Sequence, residues 1–206
     1  MSHPQHIEAQ CRIDTPLGPL TAAATARGLA GLWFDGQAHH PGLLDAPVQA
    51  THPALVQAQL ALDAYFAGRP HPALPMPPLD LQGTRFQQAV WQALLAIAPG
   101  QTSSYGEVAM AAGAPAAVRA AGAAIGRNPV SILVPCHRVL GKDGTLTGYA
   151  GGLDRKRALL ALESGQAELP AMNPAPNAPT ANTAPTARAA KPAVRAVNAE
   201  NAENAG

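Results

Sequence analysis

Residues 126–139 read Gly-Arg-Asn-Pro-Val-Ser-Ile-Leu-Val-Pro-Cys-His-Arg-Val. The apolar, β-branched run at 130–134 predicts a short buried strand that ends at Pro135, because proline cannot donate a hydrogen bond to a neighbouring strand. A thiol, an imidazole and a guanidinium then follow at Cys136, His137 and Arg138. Nearby cations lower the pKa of a thiol, and the thiolate is the reactive form. These three residues therefore contain the components of an activated nucleophile.

An inert core cysteine beside a surface histidine is the alternative for this pair, since cysteine is among the most often buried residues. Adjacent residues on a strand also point to opposite faces of the sheet. Cys136 and His137 can therefore act together only if the backbone turns between them or a water molecule links them. The pair alone leaves both interpretations open.

Helices are predicted on the N-terminal side of this stretch. Apolar residues at three- and four-residue steps predict a core helix over 86–97, ended by a Pro-Gly pair. One of two serines can cap a second helix near residue 104, and a Gly-Ala-Pro turn at 113–115 separates it from a third helix at 116–125. The pattern over about residues 104–126 is that of a helix-turn-helix, although helical hairpins that never touch DNA share it.

The predicted third helix consists almost entirely of alanine and glycine around Arg119. A helix that reads the major groove usually presents several polar side chains to the bases. A smooth helix with one arginine instead fits a narrow groove read by shape, and close packing inside the protein is the alternative. Residues 119–157 also carry seven basic and two acidic side chains, a net charge of +5, which is typical of phosphate binding or of a solvated face.

On the C-terminal side, a Gly-Lys-Asp-Gly turn at 141–144 should separate two short strands. The glycine-rich segment from Gly148 to Gly152 suits a loop that lies against a flat ligand. A last helix is expected to run from Asp154, as its N-cap, to Glu163.

The N-terminal third of the chain predicts a β-meander over residues 9–34 and a helix from about residue 53 to Gly68. The chain as a whole is therefore predicted to be an α+β protein in three segments. Residues 1–83 would form a small α/β domain with an antiparallel sheet and a proline-rich linker, with no chemistry of its own. Residues 84–165 would form a mostly helical domain that carries the cysteine. Residues 166–206, rich in Ala, Pro and Asn, would form a disordered tail.

The composition narrows the class of protein. Of the 206 residues, 47% are hydrophobic and 13% are charged, which is enough apolar material for a core. The sequence shows neither an uninterrupted apolar stretch of membrane-spanning length nor the basic and apolar regions of a signal peptide. Two cysteines, Cys11 and Cys136, do not make a disulfide framework, and a free reactive thiol suits a reducing compartment. The expected location is therefore the cytoplasm.

Several motifs follow one another along residues 84–163: Phe86-Gln87-Gln88-Ala89-Val90-Trp91, Ser104-Tyr105-Gly106-Glu107-Val108-Ala109, Asn128-Pro129, Pro135-Cys136-His137-Arg138-Val139 and Gly148-Tyr149-Ala150-Gly151-Gly152. In order and spacing they resemble the catalytic domain of the O6-alkylguanine-DNA alkyltransferases, the methylated-DNA–protein-cysteine methyltransferases. The resemblance implies a winged-helix-like domain for DNA repair. An alkyl group would pass irreversibly from O6-alkylguanine, and from O4-alkylthymine, in duplex DNA to Cys136, in a single turnover that consumes the protein.

The resemblance also implies roles for individual residues in this reaction. Cys136 would take the alkyl group, and His137 would accept the thiol proton through water. Glu163 would orient the imidazole, as in other relays of nucleophile, base and acid. Tyr105 would protonate the departing guanine. Asn128 would bridge the helix-turn-helix to the active-site strand.

The same resemblance implies that the damaged nucleotide is flipped out of the duplex, with Arg119 filling the space that it leaves. Further DNA contacts would come from Tyr105, Ala120, Gly122 and Arg138. The substrate pocket would be formed by Val139, Tyr149, Ala150 and Gly151. Its backbone carbonyls at Cys136 and Val139 would accept from the guanine amine, the Ala150 amide would donate to O6, and Gly151 would leave room for adducts larger than methyl.

The expected partner is double-stranded DNA that carries O6-alkylguanine, bound by a monomer, with no cofactor and no membrane. Some relatives bind zinc in the N-terminal domain, but Cys11 and the seven histidines show no such ligand set in the sequence, so no metal is expected.

Two other functions compete with alkyl transfer. Alkyltransferase-like DNA-binding proteins recognise alkylguanine without repairing it and typically have tryptophan at the cysteine position, so Cys136 argues against them. A thiol hydrolase or a redox sensor could use the same Cys-His pair. Such proteins need an oxyanion site or a resolving cysteine, and the sequence shows neither.

Overall fold

A computed structural model describes residues 6–68 and 76–165. Its N-terminal part contains an antiparallel sheet of β1 (Ala9–Ile13), β2 (Leu20–Thr25) and β3 (Gly28–Phe34), arranged in the order β1-β2-β3. The connection before β2 includes Gly18 at a φ of 104°, a conformation that favours glycine. The β-meander predicted from the sequence is confirmed.

Helix α1 (Pro53–Phe66) packs on this sheet. Proline occupies its first position, where a missing N–H costs nothing, and the His52 side chain accepts a hydrogen bond from Ala54 N. The buried face of α1 includes Leu55, Leu62 and Tyr65. This face brings Tyr65, near the C-terminal end of the helix, into the interior of the protein.

Three further helices form the part of the chain that follows: α2 (Arg85–Leu95), α3 (Tyr105–Ala111) and α4 (Val118–Gly126), each packed on the other two. Thr84 and Ser104 cap α2 and α3, and in each case the side chain three positions on accepts a hydrogen bond from the backbone N–H of the cap residue. The helix-turn-helix predicted from the sequence corresponds to α3 and α4.

A short parallel pair, β4 (Ser103–Ser104) and β5 (Val139–Leu140), lies beside these helices. The turn predicted after β5 is present, but no strand follows it, because residues 145–150 form a loop. The last helix, α5 (Leu153–Glu163), begins after Gly152 without a side-chain cap, so Asp154 lies in its first turn and is not the N-cap.

Strand β3 joins the N-terminal part to the cysteine segment. Leu32 N donates to Pro129 O, and Ser131 N donates to Leu32 O, each at 2.8 Å. One hydrophobic cluster contains residues from both parts, among them Leu32, Leu62 and Val134. The α+β class is confirmed. In the described residues, no helix has both the length and the apolar character that a membrane crossing requires. The predicted disordered tail, and the predicted linker over residues 69–75, lie outside the described residues.

Candidate active site

Val130 forms a single bridge with Leu32 and residues 131–136 form a series of tight turns, so the prediction of a strand at 130–134 was wrong. A γ-turn is centred on Ile132, at a φ of 68°, and is closed by a 2.8 Å hydrogen bond from Leu133 N to Ser131 O. This conformation is strained for a β-branched residue. An inverse γ-turn centred on Pro135, at φ −83° and ψ 62°, then leads into the cysteine.

Beyond the single bridge of Val130 to Leu32 in β3, the Asn128 side chain satisfies the backbone of this segment. Its side-chain nitrogen donates to Val130 O at 3.2 Å and to Val134 O at 2.7 Å, while its Oδ1 accepts from Val130 N at 3.0 Å. One side chain thus satisfies backbone groups that a sheet would otherwise satisfy. The same nitrogen lies 3.0 Å from Cys136 Sγ, so Asn128 connects the end of α4 directly to the thiol.

Cys136 is the first residue of a 3₁₀ helix, Cys136–Arg138, and is 5% exposed. Burial raises the pKa of its thiol, while the hydrogen bond from Asn128, the charge of Lys156 and the backbone N–H groups of Cys136 and His137 act in the opposite direction. The resting sulfur is therefore a neutral thiol that several fixed donors are ready to stabilise as a thiolate. Because the backbone turns here, Cys136 and His137 are not held on opposite faces of a strand.

A buried ion-pair network lies next to the cysteine. His137 Nε2 is 2.8 Å from Oε1 of Glu163, the last residue of α5. Arg138 donates two 2.8 Å hydrogen bonds to the same carboxylate, from Nε to Oε2 and from Nη2 to Oε1. Burial alone would raise the pKa of Glu163, but the hydrogen bonds and charges of His137 and Arg138 bring it well below its usual range. Glu163 is therefore a carboxylate.

The ionised Glu163 fixes the proton positions on His137. Because a carboxylate only accepts, Nε2 carries the ring proton and donates to Oε1, and Nδ1 of the neutral ring keeps a lone pair. Burial, together with the charges of Arg138 and Lys156, lowers the pKa of His137 more than Glu163 raises it, so the ring is neutral near pH 7. Nδ1 is buried and has no hydrogen-bond partner in the described part of the chain. Nδ1 is therefore the ring nitrogen that can accept a proton.

Lys156 is a second buried cation at this site. It lies two helical turns before Glu163 on α5, so both side chains project from one face of the helix. Its ammonium donates to Val139 O at 2.5 Å and to Thr147 O at 2.6 Å, which holds β5 and the following loop against α5. The Val139 carbonyl, expected to accept from a guanine amine, thus already has one protein donor.

Comparison with known proteins shows the family to which this chain belongs. Residues 85–165 match the family model of the 6-O-methylguanine DNA methyltransferase DNA-binding domain, and residues 12–77 match that of its ribonuclease-like domain. The methylated-DNA–protein-cysteine methyltransferase of Mycobacterium leprae is 49% identical over 158 residues, covering 76% of this chain and 93% of the relative. The chain belongs to the methylated-DNA–protein-cysteine methyltransferase family.

Other members of the family show the same extent of similarity. The methyltransferase of Haemophilus influenzae is 43% identical over 149 residues, which cover 72% of this chain and 82% of that protein. The crystal structure of Mycobacterium tuberculosis OGT in complex with DNA superposes with a TM-score of 0.68 at 47% identity. The superposition covers 77% of this chain and 94% of the Mycobacterium tuberculosis chain.

The helix-turn-helix of this methyltransferase places Tyr105 beside Gly122. Tyr105 is the first residue of α3, and a Cβ atom added to Gly122 would lie 3.5 Å from Tyr105 Cδ1. The Tyr105 hydroxyl lies 3.4 Å from Thr147 O and 3.3 Å from Thr147 Oγ1. Arg119 and Ala120 are exposed in the first turn of α4. The smooth face and its single arginine are therefore accessible from outside.

A cavity of about 200 Å³ lies between this helix pair and the loop at 148–150. Tyr105, Gly122, Tyr149 and Ala150 line it, as does His39 from the N-terminal part of the chain. The N-terminal part is anchored there by a 2.9 Å hydrogen bond from Ala38 N to Ala150 O. The Tyr149 and His137 rings lie edge to face, with 6.4 Å between their centroids. Tyr149 therefore contacts both the cavity and the ion-pair network.

Two residues lie elsewhere than the sequence had predicted. Arg138, expected at the DNA surface, is 1% exposed and is bound to Glu163, because its guanidinium balances the buried carboxylate. Gly151, expected to leave room for larger adducts, is buried, and an added Cβ would lie 2.6 Å from Tyr149 and 3.1 Å from Phe34. Protein atoms fill that space.

Fewer positive charges are exposed over residues 119–157 than the formal net charge of the segment indicates. Arg138 and Lys156 are buried within it. Arg155 is half-buried, donates to Leu17 O at 2.9 Å and to Gly151 O at 3.0 Å, and stacks over the Phe34 ring. The exposed basic side chains are Arg119, Arg127, Lys142 and Arg157.

Tyr65, Lys156 and Arg155 are site residues that the sequence had not revealed. A signal for Lys156 was present, since Lys156, Leu159 and Glu163 share one face of α5, and an ionisable group on a buried face needs a partner. Tyr65 gave no such signal, because it comes from a distant helix. Within residues 6–68 and 76–165, no three His, Cys, Asp or Glu side chains cluster closely enough to hold a metal ion.

Proposed function

We propose that Cys136 takes the alkyl group from O6 of an alkylated guanine, and from O4 of an alkylated thymine, in duplex DNA. The observation that carries this proposal is a buried thiol next to an imidazole whose Nε2 is held by an ionised carboxylate and whose Nδ1 has no hydrogen-bond partner among the described residues. The relatives are named as methylated-DNA–protein-cysteine methyltransferases, and one was crystallised with DNA. One chain supplies all these residues, so a monomer suffices.

In the proposed reaction, His137 Nδ1 takes the thiol proton, directly or through one water molecule. The Cys136 sulfur attacks the alkyl carbon, and the new S–C bond forms as the C–O6 bond breaks. The electron pair stays on the guanine, which takes a proton from the Tyr105 hydroxyl. Glu163 stabilises the imidazolium, whose proton later returns to Tyr105 through solvent. The product is a thioether on Cys136, and no described group is placed to remove it, so each molecule acts once.

Access to the thiol requires the nucleotide to leave the stack, because a base inside a duplex cannot reach a buried sulfur. The exposed first turn of α4 enters the groove, and Arg119 fills the space that the nucleotide leaves. The cavity between α4 and the loop at 148–150 receives the base. The Ala150 N–H donates to O6, and the Tyr149 ring packs beside the base.

Intact-mass measurement after incubation with O6-benzylguanine tests this function. The expected result is one benzyl group for each chain, mapped to Cys136 and retained over time. A non-catalytic DNA-binding protein would bind alkylated DNA without a change in mass. A thiol hydrolase or a redox sensor would leave the benzyl group on guanine. Either result would overturn the proposal.

Arg119→Ala should slow repair of duplex substrates about ten- to a hundredfold, because extruding a paired nucleotide costs a few kcal/mol and an inserted side chain offsets part of that cost. The reaction with free O6-benzylguanine should hardly change, since no base has to be extruded. Single-turnover rates on both substrates at saturating concentration measure the difference. Equal slowing on both substrates would show that Arg119 only supports the helix pair.

Lys156→Met should slow alkylation at pH 7 by about tenfold, because a positive charge that favours the Cys136 thiolate is lost. The deficit should shrink as the pH rises towards the thiol pKa. Arg157→Met is the matched control, since it removes an exposed charge from the same helix. A deficit that is constant with pH would mean that Lys156 only holds the loop.

A further inference from the structure

Tyr65 reaches the ion-pair network from α1, 98 residues before Glu163 in the sequence. Its hydroxyl donates to Glu163 Oε1 at 2.7 Å and lies 3.5 Å from His137 Nε2. The ring is 7% exposed, and its centroid lies 6.5 Å from that of His137 in an edge-to-face arrangement. The N-terminal part of the chain therefore contacts both the base and the carboxylate of the proposed relay.

The carboxylate of Glu163 is held by donors from several sides. Its Oε1 accepts from His137, Tyr65 and Arg138, and its Oε2 accepts from Arg138 and, at 3.3 Å, from Gly100 N. The guanidinium of Arg138 donates to both carboxylate oxygens and sets their plane. Tyr65 is a further side-chain donor on the oxygen that His137 uses. It therefore fixes that oxygen relative to the imidazole.

Tyr65 can act only as a donor in this position. Burial, followed by the charge of Glu163, raises the pKa of its hydroxyl, so the proton stays on the phenol. A buried phenol next to a carboxylate has no better acceptor, and a hydrogen bond to a charged group is stronger than one to a neutral group. The hydrogen bond from Tyr65 to Glu163 is therefore strongly favoured.

We propose that Tyr65 is a positioning residue for alkyl transfer, which sets the orientation of Glu163 and through it the proton affinity of His137. The proposal rests on the function proposed for Cys136. Tyr65 draws part of the negative charge of Glu163 towards itself. Without the hydroxyl, more of that charge would stabilise the imidazolium, and His137 would be neutral only at higher pH.

Other charged and titratable groups also act on His137, and Tyr65→Phe leaves them in place. Glu163 raises its pKa, whereas Arg138 and Lys156 lower it. The Tyr149 ring lies on another side, at 6.4 Å between centroids. Because these groups are common to both proteins, a difference between their pH profiles reports the hydroxyl.

Tyr65→Phe in the full chain is expected to slow benzylation by O6-benzylguanine about tenfold at pH 7, the scale of one hydrogen bond to a charged group. The acid limb of the pH–rate profile should move to higher pH. An NMR titration of His137 should show the same upward shift independently of the rate. Affinity for DNA should not change, because Tyr65 is buried.

Thr25→Val is the matched control. It removes another buried hydroxyl-to-carboxylate hydrogen bond from the N-terminal part, that from Thr25 Oγ1 to Asp80 Oδ2 at 2.6 Å. It should lower the melting temperature to a similar degree but leave the rate and the pH profile unchanged.

Three different results would each contradict either the function proposed for Cys136 or the role proposed for Tyr65. If the unaltered chain gains no benzyl group, the function proposed for Cys136 fails. If the unaltered chain reacts and Tyr65→Phe matches it in rate and pH profile, the role of Tyr65 fails. If Tyr65→Phe and Thr25→Val slow the reaction equally without a shift in pH, Tyr65 is only structural.

Discussion

Replacing Cys136 with alanine should abolish alkyl transfer completely while leaving the affinity for DNA nearly unchanged. The thiol is the only atom group assigned to form the new S–C bond, and no neighbouring group can replace a soft nucleophile at an sp³ carbon. The side chain is small and 5% exposed, so its loss removes almost no surface that DNA could contact. Transfer of a labelled alkyl group from a duplex, together with a binding titration, measures both effects.

Cys11→Ala provides the matched control for this result. Cys11 is buried in β1, and burial raises the pKa of its thiol without an opposing cation. We expect this variant to take up label at the rate of the unaltered chain. Label that appears on Cys11 in Cys136→Ala, at the original rate, would show that the nucleophile has been assigned to the wrong residue.

Glu163→Gln should affect both stability and rate. It leaves the buried guanidinium of Arg138 without its charged partner, and breaking a buried ion pair costs about 3–5 kcal/mol of unfolding free energy. Alkylation should slow strongly, because Nε2 of His137 loses the carboxylate that fixes its proton. Asp154→Asn, at an exposed position of the same helix, should change neither quantity. Denaturant unfolding and benzylation rates provide the measurement.

The pH dependence of stability follows from the titration of Glu163 and of His137. The pKa of Glu163 is lower in the folded chain, so its contribution is complete above the unfolded value of about 4.3 and is lost as the pH falls below it. The pKa of His137 is also lower in the folded chain, so stability should begin to fall below about pH 6.5. Glu163→Gln should lose less stability below pH 4.3 than the unaltered chain, while the contribution of Asp80, whose pKa is also lowered, remains.

A double-mutant cycle distinguishes a relay from two independent groups. Residues that act as one unit give rate losses that are far from additive. His137→Gln combined with Glu163→Gln should therefore slow benzylation by much less than the product of the two single effects. Full additivity would mean that Glu163 stabilises the fold without assisting His137.

The three-stranded sheet and the helices were largely predictable from the sequence because local chemistry determines them. Thr84 and Ser104 cap helices in the described structure, and prolines and glycines interrupt the chain between its strands. The irregular backbone at 130–134 was not predictable, because a run of apolar residues suits a buried strand and a buried turn equally. The deciding group, the amide of Asn128, satisfies the backbone from outside the run.

Some residues of the candidate site could likewise be predicted from the sequence, and others could not. Cys136 and His137 stand together in the sequence, and the resemblance to the family placed Glu163. Arg138 and Lys156 look like surface charges in a sequence, since ionisable side chains are seldom fully buried unless they are paired. Tyr65 depends on how α1 packs against an element 98 residues away, which no local pattern encodes. Contacts of this kind require the folded chain.

The position of Glu163 and Lys156 on α5 determines when during synthesis the protein becomes able to react. A ribosome extends the chain from the N-terminus, so Cys136 and His137 emerge before the carboxylate that fixes the imidazole and the ammonium that favours the thiolate. Under the proposed mechanism, a nascent chain that ends before α5 would carry the nucleophile without the groups that activate it, so we expect it to react only after α5 has been made and packed.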